Sequence, residues 1–176
     1  MVPLSEYATV DEDATLADAI DALENAQAEF DQSRYRHRAV IVCEKGNKKV
    51  LGKISQMDII RSLEPKYGHM GDSNAVSRFG FSPRFMQSIL DQHRLWNEPM
   101  RDLCRHIAKV KAVDVMYKLT EGEYVNEKST LREAVHQLIM GQHQALLVSR
   151  EEEIVGVLRL TDVFMEICSA RKACQL

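Results

Sequence analysis

Two stretches of this chain place a carboxylate at the same distance after a glycine. One reads "GKISQMD", Gly52 to Asp58, and the other "GVLRLTD", Gly156 to Asp162. In each an apolar run gives way to a helical pattern, so the Asp falls in a first helical turn. N–H groups at a helix N-terminus lack intrahelical partners and favour anions such as phosphate. A carboxylate beside them can accept both hydroxyls of a ribose diol, while Ser55 or Thr161 can donate to phosphate or sugar. Glycine in the preceding strand admits close approach of a ligand or of a second backbone. The same residues have a structural account, because Ser55-x-x-Asp58 is a legal capping box. Asp in both stretches favours a site, although duplication would copy a cap as well.

Other chemistries fit poorly. "GNKKVLGKIS" (Gly46–Ser55) is no P-loop: five residues separate its glycines, Ile follows Lys53, and the second glycine sits in an apolar run. Cys104 and His106 lie two apart on a predicted helix and face different ways, so they make poor metal partners. The sequence carries no nucleophile elbow, no HExxH and no catalytic carboxylate pair. Neither an enzyme nor a metal site is expected.

The elements that must position the two Asp residues occur twice. "VDEDATLADAIDAL" (Val10–Leu23) and "VNEKSTLREAVHQL" (Val125–Leu138) share six of 14 positions at a shift of 115 residues. Thr15 with Asp18, and Thr130 with Glu133, are capping boxes that start a helix in each copy. Apolar runs follow, "RAVIV" (Arg38–Val42) and "QALLV" (Gln144–Val148), then "VLGKI" (Val50–Ile54) and "IVGVL" (Ile154–Leu158). A turn of five to seven residues joins each pair into a hairpin. Each unit therefore reads helix, strand, strand, helix, with apolar faces that two copies packed sheet to sheet would bury. Extended backwards, the shift aligns "MVPLSEYATV" with "MYKLTEGEYV" (Met116–Val125), but copy one has nothing to match "VKAVDV" (Val110–Val115). Copy one starts late, or its lead-in is missing.

Residues 64–112 repeat nothing. Ser82 and Pro83 announce one helix, and a second is expected from Asn97 with Met100, Leu103, Cys104, Ile107 and Val110 on one face. A loop is expected over Tyr67–Ser82. Residues 61–112 hold nine Lys and Arg against five Asp and Glu. This is either a solvated face or a docking surface for something anionic.

Composition sets the class. Of the 176 residues, 45% are hydrophobic and 28% charged, with net charge −3, which gives no electrostatic case for nucleic acid. No apolar run suits a membrane span, and Cys43, Cys104, Cys168 and Cys174 lack a CxxC rhythm. A soluble cytoplasmic protein with reduced thiols is expected.

Two helix–strand–strand–helix units, each closing on a Gly-x-x-(Ser/Thr)-x-x-Asp kind of motif, resemble a CBS-domain pair, named after cystathionine β-synthase. The resemblance implies an α/β (α+β) fold in which two repeats form a pseudo-twofold pair around a helical insertion. The units are residues 1–63, 64–112 and 113–176. It further implies two clefts that hold adenosine compounds (AMP, ADP or ATP) as regulatory ligands, with no required cofactor. Asp58 and Asp162 would bind ribose, Ser55 and Thr161 would donate to phosphate or sugar, and Thr15 and Thr130 would touch the ligand from the early loop. His37, Arg38, Ala39 and Val40, with His143, Gln144 and Ala145, would flank adenine. Arg34 and Arg36 stand nearby as candidate phosphate neutralisers. Arg159 departs from the family pattern; it would either grip a phosphate or fill its cleft. The implied protein regulates a separate effector and forms a homodimer through the helices after Asp58 and Asp162. The alternative is a ligand-free interaction module that docks a partner through the insertion.

Overall fold

The computed structural model describes residues 1–29, 37–47, 49–69, 80–97 and 99–174. Two sheets pack face to face, and each carries its own helices on the outer face. In the first half, β2 (Thr9–Asp11) leads into α1 (Leu16–Glu29), then β3 (Ala39–Cys43), β4 (Val50–Ser55) and α2 (Gln56–Ser62). The second half repeats this with β5 (Tyr124–Asn126), α6 (Leu131–Gly141), β6 (Ala145–Arg150), β7 (Glu153–Arg159) and α7 (Leu160–Ala173). In both halves the short first strand pairs parallel to the second, and the second pairs antiparallel to the third. The expected helix–hairpin–helix order holds. The parallel strands β2 and β5 add to it; three residues each are too few to show a period.

The expected hairpin turn is shorter in the second half. Ser149, Arg150 and Glu153 join the ladder, leaving only Glu151 and Glu152 to turn, with Glu151 at φ 55°. All the predicted caps form. Thr15 Oγ1 accepts from the Asp18 N–H at 3.2 Å and Thr130 Oγ1 from the Glu133 N–H at 3.3 Å, while each carboxylate accepts from its threonine N–H, which satisfies first-turn donors and fixes where each helix starts.

A crossing ties the halves together. The N-terminal strand β1 (Val2–Pro3) pairs antiparallel with β7 of the other half, Val2 opposite Val157. Reciprocally, Tyr117 bridges Lys53 of β4, with N···O distances of 2.8 and 3.1 Å. Gly156 and Gly52 lie directly beneath these crossings. A Cβ on Gly156 would stand 2.7 Å from the Val2 carbonyl oxygen, and one on Gly52 would stand 2.7 Å from that of Tyr117. The close approach that both glycines permit is thus made by a second backbone. Between the sheets, Val2, Tyr7, Ile41, Cys43, Leu147 and Val157 form a shared core.

The insertion begins with a 3₁₀ turn at Pro65–His69 and continues with α3 (Pro83–His93) and α4 (Met100–Ile107). Ser82 caps α3 as expected, accepting from the Phe85 N–H at 3.2 Å. The second helix starts at Met100 rather than Asn97. Pro99 holds the N-cap, because a proline lacks the N–H that a helix running on from Asn97 would use there. Only the two ends of the expected loop over Tyr67–Ser82 can be compared, residues 67–69 lying in the 3₁₀ turn and 80–82 in no regular element, since residues 70–79 lie outside the described residues, as do Arg34 and Arg36. Glu64, buried, anchors the insertion by accepting from the Trp96 N–H at 2.7 Å. His106 Nε2 lies 3.0 Å from the Ser62 carbonyl oxygen at the end of α2. The helix α5 (Ala112–Val115) then packs onto the first half with Ile107 and Val110.

Candidate ligand-binding clefts

Both Asp residues sit where predicted, on the first turn after the third strand of each half. Asp58 Oδ2 accepts from the Ser55 N–H at 2.9 Å and from Ser55 Oγ at 2.5 Å, while Ser55 Oγ accepts from the Asp58 N–H at 3.2 Å. The capping box is therefore real, and any ligand at Asp58 must share a carboxylate already engaged by its cap. Ser55 faces Ala39 in the ladder, and the Gln56 N–H donates to the Arg38 carbonyl at 3.1 Å. Arg38 and Ala39 are thereby brought beside Ser55 and Asp58; the Arg38 side chain is exposed and Val40 is core.

The second half repeats this geometry with different side chains. Ala145 faces Arg159, and the Leu160 N–H donates to the Gln144 carbonyl at 2.9 Å. Arg159 stands at the position of Ser55. It is 5% exposed, and its Nε donates to both oxygens of Asp162 at 3.0 and 3.1 Å, with Nη2 also on Oδ1. Burial raises the Asp162 pKa, but the hydrogen bonds and charge of Arg159 outweigh it, and the carboxyl is held below its ordinary value. Thr161 does not stand in for Ser55. It matches Met57 in register and lines an outer groove between α6 and α7 with Leu138, Ile139 and Phe164.

Tyr7 completes the Asp162 cleft. Its ring meets that of the fully buried His37 edge-on at 4.4 Å. Burial pushes its hydroxyl up to about 12; the nearby Arg159 charge opposes that rise and the Asp162 charge adds to it. One cleft thus collects His37 and Tyr7 from the first half with Arg159 and Asp162 from the second. In the other, the 115-residue shift puts Gly122 in the place of Tyr7, and a Cβ there would lie 3.7 Å from His143 Nε2. Where one cleft has Tyr7 and Arg159, the other has Gly122 and Ser55. Lys53, in the place of Val157, is paired with the buried Glu123. Nothing in the repeat pattern announced the Lys53–Glu123 pair. The one available signal was the loss of the apolar match at both positions.

Thr15 and Thr130 are engaged in caps that are separate from the two Asp-bearing ones. Thr15 also bridges Lys111, and Thr130 lines a notch with Asn126 and Leu131. Among the described residues no group of three or more His, Cys, Asp or Glu could hold a metal ion.

Against this geometry, the family profile described as "CBS domain" matches residues 2–65 and 110–169. The chain belongs to the CBS-domain family. Each matched region is one CBS repeat, and the crossings at Gly52 and Gly156 join the two into a tandem pair. Solved structures agree on the fold. A structure described as CBSX2 in complex with AMP superposes with a TM-score of 0.58 at 14% identity, covering 97% of this chain and 94% of that one. The CBS domain of a CBS-domain-containing membrane protein from Sphaerobacter thermophilus gives 0.59 at 18% identity, over 94% and 87%. A protein from Vibrio cholerae described as a putative acetoin utilization protein (AcuB) gives 0.56 at 17%, over 99% and 90%. No curated protein matches the sequence significantly.

Proposed function

We propose that this CBS pair is a regulatory module that binds an adenosine compound in the cleft of Asp58 and Ser55 and signals to a separate effector protein. The observation that carries the reading is the inequality of the clefts. The Asp162 side is occupied by Tyr7 and Arg159, whereas the Asp58 side has only Gly122 and Ser55 at the matching places. Asp58 takes the ribose diol, Ser55 and the first-turn N–H groups of α2 take phosphate, and backbone at Arg38–Val40 and at His143–Ala145 flanks the base. The similar CBSX2 structure holds AMP, which supports an adenosine ligand. AMP, ADP and ATP are all candidates; the module needs no other cofactor and catalyses nothing. Residues 1–63, 64–112 and 113–176 are its working units, and its place is the cytoplasm.

The protein acts as a homodimer. The helices after the two Asp residues expose apolar side chains, with Met57 62% and Phe164 55% exposed, and a symmetric contact would cover them. Light scattering at micromolar concentration tests this, and a monomeric mass overturns it.

A second reading has its own support. Tyr7 and Arg159 show how a cleft of this fold is filled by its own side chains, and a protein using both clefts so would be a ligand-free interaction module that docks a partner through the insertion. Calorimetry with AMP, ADP and ATP separates the readings. Saturable binding by the wild type that Asp58→Ala removes supports the sensor; no binding at millimolar nucleotide leaves the interaction module.

A further inference from the structure

One buried ion pair stands where the repeat has apolar residues. Lys53, on β4 of the first repeat, pairs with Glu123 of the second, whereas the matching residues Val157 and Ala8 are buried in apolar cores. The Glu123 side chain is 2% exposed and that of Lys53 21%. An apolar pair of similar volume often serves stability as well as a buried ion pair, or better. Stability therefore gives no account of these charges, but position does. Side chains two apart on a strand share a face, so Lys53 and Ser55 lie on one face of β4. Lys53 stands opposite Ile41, which belongs to the core between the sheets. On β7 the same face carries Val157 and then Arg159, and Tyr7 of that core lies near enough to feel the Arg159 and Asp162 charges. By the same step Lys53 adjoins the cleft of Ser55 and Asp58, where Gly122 takes the place of Tyr7.

We propose that Lys53 reads the phosphate of the ligand in the Asp58 cleft, so that this cleft takes a phosphorylated adenosine compound in preference to the nucleoside. The inference rests on the nucleotide reading of that cleft. In this structure the ammonium is held by Glu123 and lies over the Tyr117 ring, 5.4 Å from its centroid. Lysine carries three donors on a flexible stem, and a phosphate beside Ser55 draws them toward the cleft. Glu123 keeps its charge through that move, because the Thr120 N–H at 3.1 Å and Thr120 Oγ1 at 3.3 Å still donate to it.

Calorimetry with AMP and with adenosine tests this on the full chain. The wild type should bind AMP at least about tenfold tighter, as expected for one charge-assisted hydrogen bond. Lys53→Met combined with Glu123→Gln removes both charges at similar volume and leaves neither buried alone. It should weaken AMP about tenfold and leave adenosine unchanged, with a melting curve to confirm that the variant folds. Glu123→Gln alone removes the competing carboxylate and should tighten AMP but not adenosine. An AMP preference that survives the double substitution, equal loss of both ligands, or weaker AMP binding in Glu123→Gln overturns the inference. Wild type that binds adenosine as tightly as AMP overturns it too and leaves the sensor reading standing. Wild type that binds neither ligand overturns the sensor reading itself.

Discussion

Arg159 lies along Asp162, with its Nε 3.0 and 3.1 Å from the two carboxylate oxygens, and both side chains are largely out of solvent. An interaction of this kind is hard to break from one side only. Asp162→Asn would leave a buried guanidinium without its countercharge and should cost about 3 kcal/mol, while Arg159→Ser, which restores the residue of the other repeat, should cost less. Urea unfolding of the two variants checks the order.

The same carboxylate makes stability depend on pH. Asp162 and Glu123 both have folded pKa values below their ordinary ones. In each, burial pushes upward, and hydrogen bonds, from Arg159 and from Lys53 with the Thr120 N–H respectively, outweigh it. Their contribution is thus full above the unfolded carboxylate range, about pH 4, and is lost as pH falls through the lower folded values. Melting temperature should stay level from neutrality to about pH 5 and drop below that, and less steeply in Asp162→Asn.

Asp58 separates cap from site. Asp58→Ala should lower nucleotide affinity about tenfold to a hundredfold if charge-assisted hydrogen bonds of about 1.5–3 kcal/mol to ribose are lost. The cap alone is worth about 1 kcal/mol of stability. Calorimetry beside a melting curve distinguishes the two, and Asp162→Ala should leave affinity nearly unchanged.

Gly52→Ala and Gly156→Ala each push a methyl into the carbonyl of the crossing strand, at 2.7 Å. Overpacking of this kind costs about 1–3 kcal/mol. Gly52→Ala should cost more, since Met116 Sδ also stands 2.8 Å from the new carbon, against 3.2 Å for Met1 Sδ at Gly156. Thermal unfolding of both variants provides the comparison.

Glu64 predicts the fate of the insertion. Its carboxylate accepts from the Trp96 N–H, and Trp96 Nε1 in turn donates to the Tyr67 hydroxyl at 3.1 Å. Glu64→Ala should free this corner at a cost of about 1–3 kcal/mol, the usual penalty for a buried donor left unpaired. Trp96 is the single tryptophan, so its fluorescence reports the release directly as a red shift.

Much of this was legible in the residues because it is local. Thr15 to Asp18 and Thr130 to Glu133 span one helical turn, so spacing alone marks both helix starts. The apolar runs at Val40 and Leu146 announce strands, and the 115-residue shift announces the pair. What tertiary structure decided involves residues far apart in sequence. Gly52 and Gly156 are small because Tyr117 and Val2 cross them, and no local pattern names the crossing strand. Arg159 offered two readings until folding set it against Asp162 and brought Tyr7 alongside. Leu16 and Leu131 each follow a capping threonine, yet Leu16 is buried and Leu131 exposed, because the backbone of Val110 to Ala112 lies over Leu16. Propensity and capping act within a turn or two, whereas burial and ion pairing depend on which distant backbone arrives, and that is settled only when the two sheets meet.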